Sequence, residues 1–311
     1  MSLHARAKLV TTLCLAGLLF TTHSRLGAVA SSTSLQQAFD SISISAVVLD
    51  RSGFPVRNVK ATDLTLREDG KPVSLTTFNA INAADAASEG RMIVLLLGGQ
   101  GGDPEITLRY KHVAELFLAH GTDRDTVAVV RMQGSDEVAG NRSDMRMRLA
   151  EFRANYGEPF NEKTFETVLE RMVSIADQFK EDDQRRKAIV CIGASYAFNV
   201  SEPRRRQYEL LWPHWVKALN ALARANASVY VIDPKGLDGR TTLNPDGLVA
   251  QTGGLMIENS NDFNAAVDRV WRETGNYYTL GYAPEEGQRE LHAIDVKPVN
   301  PTWRVRVRRS R

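Results

Sequence analysis

Cysteine is nearly absent: the 311 residues hold only Cys14 and Cys191. The first lies in an N-terminal leader and the second inside the apolar run AIVCIG. No intramolecular disulfide is therefore open to the exported chain, and stability has to come from a buried core. Histidine is also scarce. Beyond the leader it stands at His112, His120, His214 and His292, with no metal-spaced pair and no GxSxG elbow, so the usual zinc and serine-hydrolase signatures are missing. His112 and His120 share one expected helix but lie about 12 Å apart along its axis, too far for joint ligation. An excess of one charge is missing too. The chain has 39 basic and 37 acidic residues, and removing the leader's Arg6, Lys8 and Arg25 leaves 36 against 37. Bulk charge thus gives no support to a nucleic-acid partner.

The leader is the first feature present. MSLHARAKLVTTLCLAGLLFTTHSRLGAVASS places Arg6 and Lys8 before the apolar stretch 9–20, with Ala28-Val29-Ala30 behind it. This is the layout of a cleavable signal peptide over residues 1–30. The apolar stretch falls short of the ~20 residues of a spanning helix and contains two threonines, so no stable membrane span is expected after cleavage. The expected location is exported, periplasmic or secreted.

Residues 42–78 alternate apolar and polar side chains around the turn signals Arg51-Ser52-Gly53 and Glu68-Asp69-Gly70-Lys71. They predict several short antiparallel strands, placing a small β module at 31–79. Residues 80–90, small and weakly hydrophobic, read as a linker. From Met92 the pattern changes. Unbroken apolar runs at 92–97, 126–132, 188–192 and 229–232 predict strands covered on both faces. Helical-period segments at 108–120, 164–179 and 204–225 separate them. A helix near 245–251, a strand at 255–258 and a helix at 262–275 follow. The fold class expected is α/β, a doubly wound, mostly parallel sheet over 91–275. A C-terminal β segment at 276–311 either rejoins its edge or packs with the N-terminal module.

The glycine-rich stretch LLLGGQGGDP, residues 95–104, raises the question of phosphate binding. A Walker loop requires GxxxxGK[ST], and neither the lysine nor the hydroxyl follows. A dinucleotide loop requires GxGxxG and an acid after the next strand; the spacing differs, and the next strand ends in Arg131-Met132-Gln133. A tight turn is the simpler reading, with a nucleotide- or phosphate-binding enzyme using residues 98–102 as the alternative.

The order of VVLDRSGFPVRNVKATDLTLREDGKPVSLTTF, MIVLLL, RRKAIVCIGA, LNALARANASVYVIDPKGL, LVAQTGGLMIENSNDFNAAVDRVWRETGNYYTLGYAPEEGQ and VRVRRSR resembles the von Willebrand factor type A fold. More closely, it is similar to the bacterial von Willebrand factor A-related family abundant in acidobacteria. The resemblance implies an N-terminal β module, an A-type domain and a C-terminal β segment. It also implies a place for a metal ion-dependent adhesion site, in which DxSxS ends the first strand and later loops give Thr and Asp. A small hard cation such as Mg²⁺ needs those oxygen ligands, including a carboxylate. Carried onto this chain, the pattern meets Gly98, Gln100 and Gly102 in place of Asp, Ser and Ser, Thr164 in place of the threonine, and Gly193 or Ala194 near the later Asp. Ser195 is a neighbouring hydroxyl, and Asp103 compensates only if the loop register slips. The metal site reads as degenerate, with no cofactor expected and Mg²⁺ admitted only at a rearranged site.

Other groups have ordinary readings. Cys191 reads as core, and Glu181-Asp182-Asp183 as a solvated charged loop. Asp233 stands where α/β sheets place functional groups, or simply in an Asp-Pro turn. Alternation in WRVRVRR predicts Arg304, Arg306 and Arg308 exposed on one strand face; an anionic partner is the alternative for these and for Arg204-Arg205-Arg206. Tyr277, Tyr278 and Tyr282 read mainly as packing aromatics. The function expected is a non-enzymatic interaction or adhesion module that binds a protein partner through the loops 98–104, 161–164, 193–198 and 233–236. The candidate contacts are Gln100, Asp103, Thr164, Ser195 and Asp233. Metal-dependent adhesion is the first alternative.

Overall fold

The computed structural model describes residues 42–85, 90–98, 104–132, 136–154, 162–179, 185–193, 209–238, 247–284 and 291–309. Residues 1–30, expected to be a leader and containing Cys14, lie outside them, as do Glu181-Asp182-Asp183 and Arg204-Arg205-Arg206. Among the described residues no helix is long and apolar enough to cross a membrane.

Five strands form a wholly parallel sheet: β5 (Met92–Leu97), β6 (Thr126–Arg131), β7 (Lys187–Ile192), β8 (Ala227–Ile232) and β9 (Met256–Ile257), in the order β6-β5-β7-β8-β9. The α/β expectation therefore holds. Every residue from Ile93 to Leu97 and from Lys187 to Ile192 is buried, because helices cover both faces. α1 (Pro104–His120) connects β5 to β6, and α3 (Glu162–Ala176) and α4 (Trp212–Arg224) precede and follow β7; with the right-handed crossovers usual for parallel strands, this strand order puts α1 on one face and the other two on the opposite one. α6 (Phe263–Gly275) packs beside α1, and α3 beside α4. α5 (Leu248–Gln251) is a single turn before β9.

The helix α2 (Arg142–Glu151) has no counterpart in the sequence reading. It is short and polar and buries only Met145 and Leu149, so its periodicity is weak. Its start is nevertheless written locally. The Asn141 side chain accepts from the Ser143 and Asp144 amides, and Asp144 accepts from the Asn141 amide, a reciprocal cap. The helix closes the outer strand of the sheet: Met145 Sδ accepts from the Val129 amide at 2.9 Å, and Arg148 Nη1 donates to the Val129 carbonyl at 3.1 Å. Those ladder groups are satisfied by side chains in place of another strand.

The remaining strands are antiparallel and form two sheets. One contains β1 (Ile42–Leu49), β4 (Leu75–Asn82), β10 (Asn276–Tyr282) and β12 (Arg304–Val307), in the order β12-β1-β10-β4. The other contains β2 (Leu64–Glu68), β3 (Lys71–Val73) and β11 (Ile294–Pro298), in the order β11-β2-β3. The C-terminal strands therefore pair with the N-terminal ones, which settles the two options left by the sequence. β4 runs to Asn82, into the stretch read as linker, and β10 follows α6 with no connecting residue. Ile44, Ala46 and Val48 of β1 meet Leu64, Leu66, Leu280, Tyr282 and Val296 in the core between the two sheets. Tyr277, Tyr278 and Tyr282 are buried, as packing aromatics; the Tyr278 hydroxyl donates to the Val56 carbonyl and accepts from the Val59 amide.

The other face of β1 turns toward the amino-terminal edge of the parallel sheet. Ser45 Oγ donates to Asn226 Oδ1 at 3.0 Å, just before β8. The Arg186 amide, just before β7, donates to the Tyr277 hydroxyl at 3.0 Å. The expectation of three exposed arginines fails here. Arg304 is exposed, but Arg308 is buried and the Arg306 side chain is only 19% exposed. The register explains this: Arg306 lies opposite Val47, and opposed residues share a face, in this case the one packed on the α/β body. Arg306 Nη1 reaches Glu273 Oε2 of α6 at 3.2 Å, with Glu273 fully buried. Arg308 Nη2 donates to Asn226 Oδ1, while Arg186 donates to the Tyr230 hydroxyl and the Gly253 and Ser45 carbonyls. Burial and the neighbouring Arg186 charge push the Arg308 guanidinium down to about 10. Gly253, at φ +74°, allows this seam to close, because an added Cβ would stand 2.6 Å from the Val307 carbonyl carbon.

Candidate functional site

The parallel sheet has the order of a doubly wound fold whose crossovers diverge between β5 and β7. Such a switch point opens a crevice outside the carboxyl ends of the strands. Gly98 follows β5 and Gly193 follows β7, so the first residue beyond each strand has no side chain to bring to the crevice. The backbone ladder continues past the strand ends: the Met132 amide donates to the Leu97 carbonyl at 2.7 Å, and the Gly193 amide to the Ile232 carbonyl at 3.1 Å. The sandwich contacts described above fall at the opposite, amino edge.

Asp233 ends β8 on the same side and is 1% exposed. Its amide donates to the Ile257 carbonyl and its Oδ1 accepts from the Lys235 amide, both at 2.9 Å, closing a turn over Pro234. The geometry is that of the Asp-Pro turn, standing at the carboxyl end of β8. Tyr110 of α1 is buried nearby, its phenol pushed up by burial and then by the Asp233 charge. Glu258 follows β9, and its carboxyl is also raised, first by burial and then by Asp233. Glu258 Oε2 is buried with no hydrogen-bond partner among the described residues. Arg109 Nη1 donates to the Lys235 carbonyl at 3.3 Å and Nη2 pairs with Glu105 at 3.0 Å, tying the 233–238 loop to α1. Beside it Leu237 is 68% exposed.

Of the residues expected at the site, Gly98, Gly193 and Asp233 end neighbouring strands at one edge. Gln100, Gly102, Asp103, Ala194 and Ser195 lie outside the described residues. Thr164 falls in the first turn of α3, its side chain outside the description. Sequence reasoning missed Glu258 and Tyr110. Glu258 carried a usable signal, since it follows one parallel strand as Asp233 follows the preceding one. Tyr110 carried none, because a buried aromatic on a helix looks like any core residue. At this edge Asp233 is turned inward at 1% exposure and Glu258 is part-buried, so the exposed side chain beside them is Leu237. Cys191 is fully buried, its thiol pushed up by burial, which keeps the reactive thiolate form from forming.

No family model matches the chain, and no curated protein matches it.

Proposed function

We propose that this chain is an exported, non-enzymatic interaction module of the von Willebrand factor A kind, which binds a protein partner at the carboxyl edge of its parallel sheet without a metal ion. The observation that carries the reading is the placement of the two sheet edges. The antiparallel sandwich packs on the amino edge, whereas the switch point at Gly98 and Gly193 lies at the other, beside Asp233 and the exposed Leu237. Rigid strands presenting loops at one end are a common binding architecture. Gly98 and Gly193, where the resembling family carries ligands, support a metal-free surface.

The test places a photo-crosslinking amino acid at Leu237, or at exposed Asp123 in the turn at the amino edge, in the full chain exposed to envelope extract of its own cell. A discrete adduct from position 237 and none from 123 is expected. Equal labelling from both, or none from 237, overturns the reading. Metal-dependent adhesion through a rearranged site is the second reading, supported by the carboxylates of Asp233 and Glu258. Calorimetry with Mg²⁺ should give no heat. Heat that disappears in Asp233→Asn would transfer the function to this second reading.

A further inference from the structure

A second group of donors lies between α3 and α4. Glu166 and Glu170 are one helical turn apart on α3, so both carboxylates project from one face. His214 is the third residue of α4, and its Nε2 stands 3.2 Å from Glu166 Oε1. One donor atom from each of the three residues lies within 4.8 Å of the other two. The preceding and following residues fix this meeting: buried Phe165 packs on buried Trp215 with ring centroids 6.2 Å apart, which brings their neighbours Glu166 and His214 face to face. Pro213 in the first turn of α4 further restricts the backbone before His214. A cleft of about 340 Å³ opens at the group, lined by Leu169, Glu170, Val173, Pro213, His214 and Lys217.

We infer that Glu166, Glu170 and His214 form a binding site for a divalent transition-metal ion of the zinc class, bridging α3 and α4. The inference does not rest on the proposed interaction function. Zinc bonds to nitrogen and carboxylate oxygen run about 2.1 Å, so tetrahedral ligand atoms stand about 3.4 Å apart. The His214–Glu166 spacing already meets this, and Glu170, which is exposed, reaches it by side-chain rotation. The imidazole nitrogen selects Zn²⁺, Co²⁺ or Ni²⁺ over Mg²⁺ and Ca²⁺, which take oxygen shells. Two carboxylates at i,i+4 repel each other, and a dication reverses that penalty. The ion replaces the Nε2···Oε1 contact with two metal bonds and needs the Nε2 lone pair free. Three protein ligands leave one position open toward the cleft for water or a small anionic group. The Lys217 ammonium at the cleft wall competes with the metal and also favours an anionic fourth ligand.

The test titrates the full-length protein with Co²⁺, whose visible absorption reports a tetrahedral site, followed by displacement with Zn²⁺. Saturable bands are expected, abolished in His214→Ala and Glu166→Gln, weakened about tenfold in affinity in Glu170→Gln and retained in Asp233→Asn. Circular dichroism checks that each variant is folded. Absence of bands in the parent, bands unchanged in both His214→Ala and Glu166→Gln, or bands lost in Asp233→Asn would each overturn the assignment.

Discussion

Glu273 has 0% side-chain exposure, and the guanidinium groups of Arg306 and Arg269 lie at 3.2 and 3.6 Å from its two oxygens. A carboxylate buried this deeply is tolerable only with such partners, and the partners in turn need its charge. Burial lowers the Arg306 guanidinium while Glu273 opposes that shift. Replacing Glu273 by Gln leaves cations without their counter-charge and should cost about 3–5 kcal/mol in urea unfolding at neutral pH. The pair Glu273→Leu with Arg306→Met should cost clearly less than the sum of the single changes, since an apolar pair needs no charge compensation. Additivity in that cycle would mean that the two residues do not act together.

Among elements, the parallel strands were the most legible. Fully covered strands leave unbroken apolar runs, so the expected 92–97, 126–132, 188–192 and 229–232 differ from β5 to β8 by at most two residues at an end. α2 was missed because a helix that lies across an outer strand needs few apolar residues. The arginines of β12 were misplaced because two-residue alternation separates two faces but does not say what the second face meets. Side-chain placement shows the same limit. The position of Asp233 at a strand end was legible, whereas Glu166 and His214 lie on helices separated by β7 and meet only after both have packed on the sheet. Asp125 shows how the starts of β5 and β6 are held together. Its carboxylate accepts from the Arg91 amide and Nη1 and from the Thr122 amide and hydroxyl. Burial alone would raise it, but these hydrogen bonds and the Arg91 charge outweigh burial and hold it below the usual carboxylate range. A depressed carboxylate stabilises the fold above its ordinary value of about 4 and loses that contribution as pH falls through the lower native value. Asp125→Asn should therefore destabilise by about 2–3 kcal/mol at pH 7, with the gap to the parent shrinking below about pH 4. Equilibrium unfolding at several pH values reads this directly, and a gap independent of pH would contradict it.

At the scale of the whole molecule, the strands of the antiparallel sandwich come from both ends of the described chain. β1 and β4 precede the α/β body, and β10, between them in the sheet, follows it. A chain ending at residue 275 keeps every parallel strand but leaves β1 and β4 without the strand that joins them. It should show exposed apolar surface by dye binding and early proteolysis within residues 42–82, while the full chain unfolds in one transition. A truncated protein as protease-resistant as the parent in that region would refute the coupling. The same arrangement sets an order in time. The α/β body has a sequence-contiguous core within residues 93–270 that is complete before β10 to β12 are delivered, whereas the sandwich is finished only when those strands arrive. During that interval the first-made strands offer open hydrogen-bonding edges, so chain delivery, whether from a ribosome or across a membrane, places a period of aggregation hazard between the arrival of β4 and that of β10.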